Sequence, residues 1–275
     1  MKKIKVCVLR TAGTNCDKET AFAFSLVGAS AELVHINNLA SAKVNLSNYH
    51  ILALPGGFSY GDDIASGKIF ANELKYKLSA DLKKFIQEGK LIIGICNGFQ
   101  ILVKSGLLPG NDSLIQEASL IINDSGKFED RWVYLSSRVR EFASSRVKCI
   151  WTKNLPEIIY LPVAHGEGKF IVKDKKVLSR IKKNGQVVFS YCDALGRLTG
   201  WPANPNGSLQ NIAGIYDTTG RILGLMPHPE RHIQLWQHPR WEDSKPRTTG
   251  LQVRGKSGVG LQIFKNGVDY IKKHF

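Results

Sequence analysis

The stretch Leu91-Ile92-Ile93-Gly94-Ile95-Cys96-Asn97-Gly98-Phe99-Gln100 decides how this chain reads. An apolar strand runs into a cysteine, and a helical pattern begins straight after it. Gly94 and Gly98 stand two residues to either side of that cysteine. G-x-C-x-G is the thiol form of a nucleophile elbow, a sharp strand-to-helix turn that holds a reactive side chain clear of the sheet. Placed at a helix N-terminus, Cys96 would feel unsatisfied N–H groups and the macrodipole, both of which favour a thiolate. A lone cysteine closing an apolar strand would be inert core. The two glycines and the strand–helix context argue against that reading here.

Working outward, the first half alternates strand and helix signals as a parallel sheet covered by helices on both faces would. Ile4–Leu9, Ala31–Ile36 and His50–Leu54 read as strands before Leu91–Ile95. Asp17 reads as the cap of a helix over Thr20–Val27 stopped by Gly28, with further helices at Ile69–Lys77 and Ser79–Gln87. Beyond residue 130 the pattern gives short strands at Arg131–Ser136, Val147–Trp151, Gly185–Tyr191, Ile212–Tyr216 and Ile222–Met226. Gln234–Ser257 has no periodicity and reads as a basic loop. Leu261, Phe264, Val268 and Ile271 make a helical stripe that should dock on the core. The expected organisation is one domain over 1–233, with 234–275 as a basic loop and C-terminal helix packed on it.

The chain has 275 residues and a formal charge of +15. Residues 131–183 hold 13 Lys+Arg against 4 Asp+Glu, and residues 231–275 hold 9 against 3. These two segments carry the whole excess, which suits an acidic partner or a phosphorylated substrate. A nucleic-acid binder ranks last, because no recognised binding module accompanies the charge. The five cysteines (7, 16, 96, 149 and 192) are scattered without a C-x-x-C pair, which excludes a disulfide framework and a structural zinc site. Four of them read as small buried residues and only Cys96 as reactive. No apolar run reaches the roughly 18 residues needed to span a bilayer, and a cytoplasmic location is expected.

A thiol attacking an amide needs a general base and donors for the developing oxyanion. The base is best sought in Met226-Pro227-His228-Pro229-Glu230-Arg231. A residue before proline is biased toward extended conformations, and residues two apart on an extended chain share a side. His228 and Glu230 would then face one direction, with the carboxylate orienting the imidazole. His165-Gly166-Glu167-Gly168 is a rival pair on a glycine-rich loop, read as supporting the site from behind or from the substrate side. Oxyanion donors are expected from the Asn97 N–H and from Gly57, in the loop Pro55-Gly56-Gly57-Phe58 after an earlier strand.

Together these pieces resemble the class I, or triad, glutamine amidotransferases, with their G-x-C-x-G-x-Q elbow and late His-x-Glu pair. The resemblance implies a flavodoxin-like α/β fold and a triad of Cys96, His228 and Glu230. It further implies substrate contacts at Gly56, Phe58 and Gln100, with Gln100 helping to hold glutamine. The likeness narrows to glutaminase subunits serving the amidine-forming step of purine synthesis. That narrowing rests on Gly13–Asp17, Pro55–Asp63, Gly126–Trp132, Leu161–Phe170, Asn204–Ile215 and Gly224–Arg231. It implies ammonia supply to a synthetase subunit that uses ATP and Mg²⁺ on formylglycinamide ribonucleotide, and a small third subunit. No cofactor or metal is expected on this chain, whose sequence has no G-x-x-x-x-G-K-[ST] loop. The alternatives are a glutaminase for another synthase, or a non-catalytic binding protein on the same scaffold.

Overall fold

A computed structural model describes residues 3–110, 114–137, 148–242 and 257–275. Strand β1 (Lys5–Arg10) leads to helix α1 (Asp17–Leu26), β2 (Ser30–His35), the short α2 (Ile36–Ala40) and β3 (Ile51–Leu54). Helices α3 (Lys68–Lys77) and α4 (Ser79–Gln87) precede β4 (Leu91–Ile95), which turns at Cys96 into α5 (Asn97–Lys104). Then come β5 (Ala118–Ile121), β6 (Glu129–Ser136), β7 (Ile158–His165), β8 (Lys169–Val172) and α6 (Lys175–Lys183). The chain closes with β9 (Val187–Cys192), β10 (Ile212–Tyr216), β11 (Ile222–Leu225) and α7 (Leu261–His274).

Among the described residues the main sheet runs β2-β1-β3-β4-β11-β10-β9-β6-β7, with β5 and β8 forming a separate antiparallel pair. From β2 to β11 every pairing is parallel, and from β11 to β7 every pairing is antiparallel. The central strands Ile51–Leu54, Leu91–Ile95 and Ile222–Leu225 are buried at every position. That is why they read as continuous apolar runs without alternation. Helices α1 and α7 pack together, with Phe24 edge-on to Phe264. Helix α5 packs with α3 over β3 and β4. All eight residues of α5 are buried, so the helix after the elbow is a core element.

The far edge of the sheet returns to its middle. Strand β7 lies four places beyond β11 in the hydrogen-bonded order, yet the His228 N–H donates to Pro162 O at 2.8 Å. The sheet therefore curls until its last strand closes over the C-terminal end of β11. Pro162 is tolerated because β7 is an edge strand, where a missing donor interrupts no ladder. The C-terminal ends of parallel strands are where open α/β sheets place their sites, and the curl walls this one on a second side.

Three local expectations change. Asp17 is the first residue of α1, not its cap: Cys16 holds the cap position without a side-chain bond. The Asp17 carboxylate instead pairs with Arg10 at 3.1 Å. Over the expected strand 147–151, Val147 lies outside the described residues and Ile150–Thr152 form a single 3₁₀ turn. That turn buries Trp151 against α7, where Asn266 Nδ2 donates to Trp151 O at 2.8 Å. Helix α7 is thus fastened to the same core, whereas 243–256 of the basic loop fall outside the described residues. Residues 234–242 are not all irregular, since Leu235–Gln237 form a 3₁₀ turn with a capping box.

Candidate active site

Cys96 sits where β4 breaks into α5, with φ 51° and ψ −105°. A side-chain-bearing residue in that region is strained and persists only where its surroundings over-determine it. Here the Cys96 N–H donates to Leu225 O at 2.8 Å, and its carbonyl accepts from Phe99 and Gln100 N–H. A Cβ on Gly98 would lie 1.9 Å from Leu54 O, so only glycine lets α5 run this close to the end of β3. The Cys96 thiol points to Ala164 O of β7, at 3.6 Å.

His228 follows β11 with an extended backbone, and Pro229–Arg231 then form a 3₁₀ turn. The pair is brought together by that turn, not by the extended chain expected from the two prolines. The result is a 2.6 Å contact of Nδ1–H with Glu230 Oε1, both side chains being buried. His228 Nε2 and Glu230 Oε2 have no hydrogen-bond partner among the described residues. Burial works against a charged imidazole, but Glu230, Cys96 and Cys16 outweigh it and raise His228 well above its usual 6.5.

Gly56 lies between these groups. A Cβ there would sit 2.7 Å from His228 Cε1, 3.2 Å from Cys16 Sγ and 3.4 Å from Cys96 Cβ. Gly57 follows with φ 140°, a conformation that a side chain would strain. Among the described residues, neither the Gly57 nor the Asn97 N–H has a protein acceptor. Phe58 is half-exposed, with its ring 6.2 Å from Phe128.

Helix α5 presents Asn97, Gln100 and Lys104 at positions i, i+3 and i+7 of one face. Asn97 Nδ2 donates to Gln100 Oε1 at 2.9 Å, and Gln100 Nε2 donates to Glu167 O at 2.7 Å. Lys104 is buried, bonds Ser66 O and lies 3.6 Å from Glu167 Oε2. Burial pushes Lys104 below its ordinary value against the pull of Glu167. It pushes Asp62 up, helped by the neighbouring Glu167 carboxylate. Asp62 and Glu167 face Lys104 in this corner, and the field of Lys68 also reaches Lys104.

His165 occupies a different kind of place. It ends β7, fully buried, with Nδ1 3.2 Å from Asn123 Oδ1 and Nε2 3.4 Å from Asn206 Nδ2. Asn206 also donates to Tyr191 Oη at 3.2 Å. Burial, then the fields of His228 and Arg131, push His165 down to about 3 and keep it neutral. Gly168 lets the chain pass over the ring, since a Cβ there would lie 2.3 Å from His165 Cε1. Of the two glycines of that loop, Gly168 approaches His165, whereas a Cβ on Gly166 would meet Phe128 Cδ2 at 3.9 Å.

The structure therefore gathers Cys96, His228, Glu230, Gly56, Gly57 and Asn97 at one point, with Gln100 and Glu167 beside it and His165 behind. Sequence reading passed over three neighbours. Lys104 was signalled only by its spacing from Gln100, and Asp62 only by its place in the glycine-rich loop. Cys16 was read as inert, yet its thiol abuts His228 and receives Arg231 Nη2 at 3.2 Å. The Gly13–Asp17 motif contains it, but nothing in that stretch tells that the first loop meets the last motif after folding.

Comparison with known proteins identifies the family. The family model of the CobB/CobQ-like glutamine amidotransferase domain matches residues 3–271. Phosphoribosylformylglycinamidine synthase subunit PurQ of Dehalococcoides mccartyi is 46% identical over 274 residues, covering 99% of this chain and 100% of that protein. The subunit of the same name from Methanococcus maripaludis strain C5 is 44% identical, covering 98% and 99%. The solved structure of PurLQS from Thermotoga maritima contains a chain 30% identical, matching with TM-score 0.70 over 98% of this chain and 100% of its own.

Proposed function

The chain belongs to the CobB/CobQ-like glutamine amidotransferase family, and on that premise we propose that it is the glutaminase subunit of a phosphoribosylformylglycinamidine synthase. The observation that carries the chemistry is the strained Cys96 at the end of β4 facing the His228–Glu230 pair at the end of β11. Cys96 Sγ attacks the γ-carboxamide carbon of glutamine, and His228 takes the thiol proton as the C–S bond forms. The carbonyl oxygen becomes an oxyanion held by the Gly57 and Asn97 N–H groups. His228 returns the proton to the leaving nitrogen, the C–N bond breaks, and ammonia departs from a γ-glutamyl thioester. Water then attacks the thioester with His228 as base, which releases glutamate and restores the thiol. Glu230 holds the imidazole in the tautomer that exposes Nε2 and stabilises its charged form. The Asp62 and Glu167 carboxylates offer acceptors for an α-ammonium, with Phe58 and Gln100 beside them.

Ammonia passes to a synthetase subunit, which converts formylglycinamide ribonucleotide to the amidine with ATP and Mg²⁺. A small third subunit completes the assembly, which works in the cytoplasm. Among the described residues no helix is long and apolar enough to cross a membrane. The test is reconstitution with the synthetase. Wild type should support amidine formation from glutamine, whereas Cys96→Ala should support it only from added ammonia. Glutamine-dependent turnover by Cys96→Ala would overturn the assignment.

A further inference from the structure

Lys104 is a buried cation for which the proposed chemistry has no step. It lies on α5, two turns beyond Asn97, with its side chain 4% exposed. An ammonium in such a place is costly unless it is paired, and an apolar side chain would pack there at least as well. Its partners explain its presence. Nζ donates to Ser66 O, in the loop between β3 and α3, and lies 3.6 Å from Glu167 Oε2, in the loop between β7 and β8. The Ser66 N–H is shared by both Glu167 carboxylate oxygens at 3.3 Å, and Ser66 Oγ donates to Asp62 Oδ2 at 2.7 Å. Asn97 Nδ2 reaches Asp62 Oδ1 at 3.4 Å and Gln100 Oε1 at 2.9 Å. Gln100 Nε2 closes the ring on Glu167 O at 2.7 Å. The field of Lys68, at the start of α3, opposes the charge on Lys104, while Glu167 and Asp62 favour it.

Both loops need holding. Tyr60, Asp62 and Ile64 have φ of 57°, 57° and 70°, values that side-chain-bearing residues keep only where their surroundings fix them. Glu167 stands between Gly166 and Gly168 on a half-buried loop, where its long side chain retains rotamer freedom until something holds it. Lys104 meets both loops at one point. From this geometry we infer that Lys104 is a positioning residue for glutamine recognition, fixing the Asp62 and Glu167 carboxylates in the arrangement that receives the α-ammonium. It acts through those carboxylates and not on the γ-amide, so it governs how glutamine binds and leaves the thiol chemistry to Cys96 and His228. The inference rests on the glutaminase reading of the site.

The test is steady-state glutaminase activity of the assembled synthase, with formylglycinamide ribonucleotide and ATP present. Lys104→Met keeps a long side chain and removes its charge. It should raise KM for glutamine about tenfold or more and leave kcat within about twofold, as lost substrate binding does. Alkylation of Cys96 by iodoacetamide, which has no α-amino end, should keep its wild-type rate. Glu167→Gln should raise KM likewise, and the double variant should lie within about twofold of the poorer single one, because both act through one contact. Lys104→Gln, which keeps a polar donor in the same place, covers the case in which methionine does not fold, with urea midpoints as the check. It should raise KM about fivefold or more. Wild-type KM in both Lys104 variants, a kcat lowered as much as KM is raised, or KM effects of Lys104→Met and Glu167→Gln that multiply would overturn the inference. No glutamine hydrolysis by the wild-type assembly would overturn the functional reading, and the inference with it.

Discussion

Two strand ends meet at this site, each carrying a buried histidine, and they treat it in opposite ways. At the end of β11, His228 faces a carboxylate and two thiols, keeps Nε2 open and is raised well above 6.5. At the end of β7, His165 faces two amides, has both nitrogens engaged and is pushed down to about 3. Burial is nearly equal, so burial does not make a histidine reactive. The neighbours do, by supplying charge of the right sign and by leaving one nitrogen unspent.

The sharpest way to break the contrast is to remove each side in turn. His228→Ala should lower kcat by roughly 10⁴-fold or more, as losing the base of a nucleophile–base unit does. His165→Ala should cost no more than about tenfold in glutamine-dependent turnover. Full turnover by His228→Ala with loss in His165→Ala would reverse the assignment. Next in size is Gly56→Ala. Its methyl group would lie 2.7 Å from His228 Cε1, so the imidazole must shift. A displacement of that order should lower kcat by about 100-fold. An unchanged kcat would show that the imidazole has room the structure does not provide.

Stability should show the reverse order. His165→Ala takes the imidazole partner from Asn123 Oδ1 and Asn206 Nδ2 inside the protein, at a cost of about 1–3 kcal/mol, read as a lower urea midpoint. An unchanged midpoint would mean the network is dispensable.

The finest distinction is in acid, where the readout is a difference in slope. His165 at about 3 and His232 at about 4 stay neutral in the fold while the unfolded chain protonates near 6.5. Their stabilisation is full above 6.5 and drains as pH falls toward 3–4, by about 1.4 kcal/mol per pH unit for each. His228 has the opposite sign: its raised value stabilises below 6.5 and that gain is lost as pH rises through the folded value. The midpoint should therefore fall between pH 6.5 and 5, with a shallower slope in His165→Gln. Equal slopes for the two proteins would refute this reading of His165.

The contrast also marks what the sequence could reveal. Strands and helices near the elbow were legible because each is a continuous apolar run or a stripe of fixed period, and Ser79–Gln87 and Leu91–Ile95 match to the residue. Strand β7 was not legible, because Pro162 argues against a strand unless its position at a sheet edge is known. Cys96, His228 and Glu230 stood out because their chemistry is encoded in local spacing. Cys16 and the Asn123–His165–Asn206 network did not, since their meaning lies in residues dozens of positions away. The curl that brings β7 over β11 is likewise a property of the whole sheet, absent from any window of sequence.

The central claim is that Cys96, and not its neighbour Cys16, is the nucleophile toward glutamine. The direct measurement is peptide mass spectrometry of the assembled synthase after treatment with a diazoketone analogue of glutamine, in the presence of formylglycinamide ribonucleotide and ATP. One adduct per chain on Cys96, blocked by glutamine and absent in His228→Ala, is the predicted result. An adduct on Cys16, or an active assembly that carries no adduct on Cys96, would contradict it.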